Sequence, residues 1–124
     1  GLGEGFGLAC CAADRAVVVS TTDASALRDA QRTVSVLRNR IPRIHLVVNR
    51  VQPRLLRRLH TTIDDAMDAA GLPLLGIVPE DPQVMLCANQ GQPLILRASR
   101  GAAVAYLNIA KRLLGQKAPL MKIR

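Results

Sequence analysis

Two apolar stretches of this chain each run out into residues able to hold a flat heterocycle. Leu46-Val47-Val48 leads into Asn49 and Arg50, and Leu74-Leu75-Gly76-Ile77-Val78 leads into Pro79, Glu80 and Asp81. The Asn49 amide donates and accepts hydrogen bonds at once, which suits the edge of a purine. Each set also has a plainer reading. Asn49 is equally a polar close to a strand, and Asp81 before Pro82 is equally the N-cap of a helix. Two such sets on neighbouring strands shift the balance toward a site, because ligands of open parallel sheets bind beyond the carboxyl ends of the strands.

Other candidate chemistry falls away. Gly1-Leu2-Gly3-Glu4-Gly5-Phe6-Gly7 is glycine-rich, yet it lacks a Gly-Lys-Ser/Thr ending, the dinucleotide spacing and a preceding strand. It is expected to start a helix rather than to cradle phosphate. His45 and His60 have no partners at metal-ligand spacing and no neighbouring nucleophile. Asp64, Asp65 and Asp68 read as a solvated helix face, and Arg54, Arg57 and Arg58 as a solvated cluster. No residue stands out as catalytic. Cys10, Cys11 and Cys87 are odd in number and two are adjacent, which suits free thiols in a reducing cytoplasm.

Composition bounds the architecture that must position Asn49 and Glu80. Hydrophobic residues make up 49% of the 124, whereas Phe6 and Tyr106 are the only aromatics. The core is therefore aliphatic, as in α/β proteins whose strands are buried on both faces. No apolar run approaches the roughly 20 residues of a membrane span, and the first residues lack the basic start of a signal peptide. The net charge of +8 favours anionic surfaces. The basic residues are scattered without aromatic stacking partners, so specific nucleic-acid binding is not expected.

Helix and strand patterns alternate, which predicts βα repeats and a parallel sheet of about three strands, Ala16–Ser20, Ile44–Asn49 and Leu74–Val78, with helices on both faces. A small-residue helix is expected over Leu2–Ala13. Leu27, Ala30, Val34, Leu37 and Ile41 form one stripe on a helix from Ala24 to Arg40, stopped by Pro42. The stripe from Arg54 to Ala70 has its arginines first and its aspartates last, against the helix dipole. A regular helix that begins at Thr61 or Thr62 removes the conflict, because a threonine then caps it and the aspartates fall in its first turn. Short and long helices follow over Pro82–Asn89 and Gly101–Leu114, with Gly115 as the stop.

These residues also resemble a known family. The runs Ala13-Asp14-Arg15-Ala16-Val17-Val18-Val19-Ser20-Thr21-Thr22 and Leu27-Arg28-Asp29-Ala30-Gln31-Arg32 are similar to the MinD branch of the MinD/ParA P-loop ATPases. So are Gly76-Ile77-Val78-Pro79-Glu80-Asp81-Pro82-Gln83-Val84, Asn89-Gln90-Gly91-Gln92-Pro93 and the final helix from Ala105 to Gly115. The similarity covers nearly the whole chain. It implies the C-terminal half of a P-loop NTPase fold over residues 1–115, followed by a short basic and apolar tail over 116–124.

Members of that family are ATPases that dimerise on ATP, bind the membrane through a C-terminal amphipathic helix and help to place the division septum. The resemblance implies that Asn49, Arg50, Pro79, Glu80 and Asp81 match the adenine-recognising edge for ATP or ADP. It further implies that Arg28, Asp29 and Arg32 lie where the family meets its MinC and MinE partners, with Gln31 replacing a second acidic position. Gly1 matches the last residue of the Asp-x-Pro-Ala-Gly switch. The family's P-loop lysines, first switch, magnesium-associated aspartate and membrane helix have no counterpart in these residues. The expectation is thus a cytoplasmic, inactive half-site with weak nucleotide binding, magnesium only with the missing half, and self-association through an unpaired sheet edge. The alternative is a non-enzymatic module that binds a protein or an anionic surface.

Overall fold

The computed structural model describes residues 2–122; Gly1, matched above to a switch motif, and Ile123 and Arg124 of the tail lie outside them. Strands β1 (Arg15–Ser20), β2 (Arg43–Val51) and β3 (Leu74–Pro79) form one parallel sheet in the order β1-β2-β3. Among the described residues six helices surround them: α1 (Glu4–Ala12), α2 (Ala24–Leu37), α3 (Pro53–Arg58), α4 (Ile63–Ala70), α5 (Pro82–Asn89) and α6 (Ala102–Leu113). A 3₁₀ turn at Leu94–Leu96 joins α5 to α6.

The strand pleat sorts the aliphatic residues onto two faces. Val18, Leu46, Val48 and Ile77 pack on one side against Ala30, Val34 and Leu37 of α2 and Ala66 and Ala70 of α4. Val47, Leu75 and Val78 face the opposite side and meet Ala102 and Ala105 of α6. Leu46 and Val48 are fully buried, and each such side chain contributes about 1.5–3 kcal/mol. Helices therefore lie on both faces, as the composition requires. The α6 face is incomplete over β1, an edge strand, where Val17 is 38% and Val19 59% exposed.

Local signals set the helix starts. The Asp23 carboxylate caps α2 by accepting from the Ala26 amide at 3.1 Å. The 54–70 stripe divides into two helices, as its charge order demands. α3 ends on Arg57 and Arg58, His60 turns the chain at φ 51°, and α4 opens on a Thr62–Asp65 capping box. Gly115, at φ 80°, ends α6 in the left-handed conformation typical of such stops.

Several boundaries differ from the pattern. α1 is shorter at both ends, its glycines offering neither a side-chain cap nor a packed stripe. α2 stops at Leu37 and a turn delivers Ile41, still buried, to the core. β2 runs past Asn49 to Val51, where it pairs with Pro79. Beyond α6 the described tail folds back: the Arg112 guanidinium donates to the Ala118 carbonyl at 3.1 Å, and Met121 packs against the core.

Candidate functional site

The site is built on an irregularity in β2. Val48 pairs with Ile77 and Val51 with Pro79, so three steps along β2 face two along β3. Bulges of this kind bend a strand and re-aim its side chains. Here the bulge puts Arg50 at φ 54°, a left-handed conformation that costs a non-glycine residue about 1 kcal/mol or more. Arg50 Nε donates to Glu80 Oε2 at 2.8 Å, and the Glu80 amide donates to the Val51 carbonyl at 3.0 Å. The two strand ends are thereby tied together. Glu80, first by that hydrogen bond and then by its charge, holds the Arg50 guanidinium above its ordinary pKa. Both side chains are solvated, 67% and 37% exposed, so the pair orients more than it stabilises.

Asn49 sits half-buried on the bulge, and its amide takes part in no side-chain hydrogen bond among the described residues. Asp81 is engaged on both sides. One carboxylate oxygen accepts from the Gln83 amide and the other from the Ala102 amide, each at 3.0 Å. The N-cap reading of Asp81 is thus realised, and it is extended to a second helix.

The five residues singled out in the sequence, Asn49, Arg50, Pro79, Glu80 and Asp81, line one cleft of about 690 Å³. Its volume lies within the range of small-molecule sites. Val84, Met85 and Asn89 of α5 and Tyr106 of α6 complete its walls. Sequence reasoning missed Tyr106 as a wall residue. The available signal was its rarity, since it is one of two aromatics, but its rotation about α6 was not legible. A second cavity of about 670 Å³ runs along the free edge of β1, lined by Val17, Val19, Thr21 and Asp29 among others, and Asn49 borders it too.

Arg28, Asp29 and Arg32 are exposed on α2, with Arg28 and Arg32 one turn apart on the same face. Gln31 between them is committed internally, its amide donating to the Ala69 carbonyl of α4 at 2.7 Å. Among the described residues no three His, Cys, Asp or Glu side chains converge as a metal site. Nor is any helix among them long and apolar enough to cross a membrane.

A parallel sheet with helices on both faces and polar groups gathered at the carboxyl ends of its strands defines half of a P-loop NTPase fold. No family model matches the chain. It is 38% identical over 123 residues to the septum site-determining protein MinD of Bacillus subtilis, which covers 97% of this chain and 46% of that protein. MinD of Aquifex aeolicus superposes on 98% of the chain and 52% of its own, with a TM-score of 0.91 and 30% identity. A MinC:MinD cell division complex from the same organism gives a TM-score of 0.90 at 29% identity, covering 100% of this chain and 52% of that one. MinD of Pyrococcus horikoshii complexed with Mg-ADP shares the fold, with a TM-score of 0.68 at 22% identity over 81% of this chain and 41% of that one. Over nearly its whole length the chain is similar to MinD proteins and matches their C-terminal region. It spans about half the length of the curated relatives it matches.

Proposed function

We propose that this chain supplies the base-recognising edge of an adenine-nucleotide site in a MinD-like ATPase of septum placement. The observation that carries the reading is the convergence of Asn49, Arg50, Pro79, Glu80 and Asp81 on one cleft in a chain similar to MinD along its length. The residues present fit a base. Apolar walls take its faces, the free Asn49 amide takes its edge, and the Arg50–Glu80 pair borders the opening. The phosphates and magnesium would be held by residues outside this chain, and no residue here is assigned a catalytic step. Phosphate contacts supply much of a nucleotide's affinity through charged donors and backbone amides, so ATP and ADP bind this chain weakly.

Ligand-observed NMR with adenosine and guanosine tests the reading. Saturation transfer to adenosine that is reduced by Asn49→Ala supports it. Equal transfer to both nucleosides, unaffected by that substitution, overturns it.

A protein-binding role for α2 accompanies this. The structural neighbour solved as a MinC:MinD complex supports a MinC-like partner, which we assign by resemblance to the exposed mixed-charge face of Arg28, Asp29 and Arg32. A MinE-like partner falls to the same face by resemblance. We further infer self-association through the free edge of β1, and a cytoplasmic, membrane-peripheral location shared with the family. Asp29→Ala that leaves a MinC pull-down unchanged removes the α2 assignment.

A further inference from the structure

We propose that Asp81 is the positioning residue of the cleft rather than a contact to the base, and that it sets Tyr106 as the wall on which the base stacks. This rests on the base-site reading above. Asp81 Oδ1 accepts from the Gln83 amide at the start of α5, and Oδ2 accepts from the Ala102 amide at the start of α6. Both are orphan donors at helix N-termini, where a carboxylate is favoured by the capping hydrogen bond and by the helix dipole. One side chain therefore joins the origins of two helices, reaching Ala102 from 21 residues away in the chain.

The joint is close. Gly101, the residue before α6, stands at φ 59°, and a Cβ there would lie 2.5 Å from Asp81 Oδ2. The backbone reaches the carboxylate because residue 101 has no side chain. Each joined helix carries part of the cleft. α5 brings Val84, Met85 and Asn89, and α6 brings Tyr106. Tyr106 lies four residues after Ala102, one turn along the same side of α6, so the Ala102 hydrogen bond governs where the ring stands. Among the described residues Tyr106 is the only aromatic lining the cleft, and it is 37% exposed, open to a planar ligand. Stacking of a base on such a ring is sequence-tolerant in geometry but strong relative to aliphatic contact. Asp81 fixes the ring, and the free Asn49 amide reads the edge.

The test uses the full chain, adenosine as the probe, saturation-transfer NMR for affinity and amide exchange for the joint. Tyr106→Ala is expected to weaken adenosine roughly ten-fold, and Tyr106→Phe to leave it nearly unchanged. Asp81→Ala should weaken it by a similar factor and accelerate exchange at the Ala102 and Gln83 amides. The double substitution should be no weaker than either single one, because the two act as a unit. Asp81→Asn, which keeps one acceptor oxygen and the side-chain volume, gives an intermediate loss and serves where the alanine variant melts. Losses that multiply show that Asp81 touches the base itself and overturn the positioning role, as does unchanged adenosine binding in Tyr106→Ala. Absence of any transfer to the unaltered chain instead removes the base-site reading, and this inference with it.

Discussion

Ile109 of α6 occupies the space that a side chain on residue 76 of β3 would fill. A Cβ built on Gly76 would lie 2.2 Å from Ile109 Cγ1 and 2.8 Å from its Cδ1. The helix that carries Tyr106 therefore rests directly on the strand that delivers Pro79 and Glu80. Gly76→Ala is expected to destabilise the fold by about 1–3 kcal/mol through overpacking, read as a lowered midpoint in urea. Ile109→Ala, which removes both Cγ1 and Cδ1, should recover part of the loss when combined with it. A Gly76→Ala protein as stable as the parent would contradict the contact.

The Thr62–Asp65 capping box makes a second stability prediction. Thr62 Oγ1 accepts from the Asp65 amide at 3.1 Å, and Asp65 Oδ2 accepts from the Thr62 amide at 2.8 Å. The cap holds α4 in place, and Ala66 and Ala70 depend on it to reach α2. Thr62→Ala should cost about 1 kcal/mol and Thr62→Ser much less. Equal losses in the two variants would show that the hydroxyl is not the stabilising group.

How much of this was legible in the sequence depended on whether the deciding interaction was local. The split at Thr62 followed from charge order along a few residues, and the stripe from Leu27 to Leu37 met the core as its spacing required, whereas Ile41 reached it through a turn. The run of β2 beyond Asn49 was not legible, because the bulge arises from pairing with β3, some thirty residues away. For the same reason Asp81 read as the cap of α5 alone, since its bond to Ala102 depends on how α6 returns across the sheet. In the cleft, the polar residues were visible at the strand ends. Tyr106 was not, because a side chain's rotation on a distant helix is set by packing such as that of Gly76 and Ile109.

Asp23 predicts a pH dependence. The Thr21 hydroxyl donates to one carboxylate oxygen and the Ala26 amide to the other, and these, in that order, hold the Asp23 carboxyl below its usual range. A carboxyl lowered in the folded state stabilises the protein fully above its unfolded pKa. That contribution is lost as pH falls below about 3.8 toward the folded value. The group is well solvated, so the effect is small. Asp23→Asn should flatten the fall in thermal midpoint between neutral pH and that acidic window, relative to the parent. An unchanged slope would assign the acid sensitivity to other carboxylates.

The bare side of β1 makes the last prediction. Val17 and Val19 face away from α2 on an edge strand, and α6 does not extend over them. Unpaired backbone groups beside an uncovered aliphatic surface favour pairing with another chain, whereas a charge on the edge opposes it. Val19→Lys should therefore lower the concentration-dependent mass seen by light scattering. Val104→Lys, which also replaces an exposed valine but on α6 beside β3, should leave that mass unchanged. If both lysines act alike, net charge rather than the β1 edge governs association. If neither acts, the edge of β1 is not the surface through which copies meet.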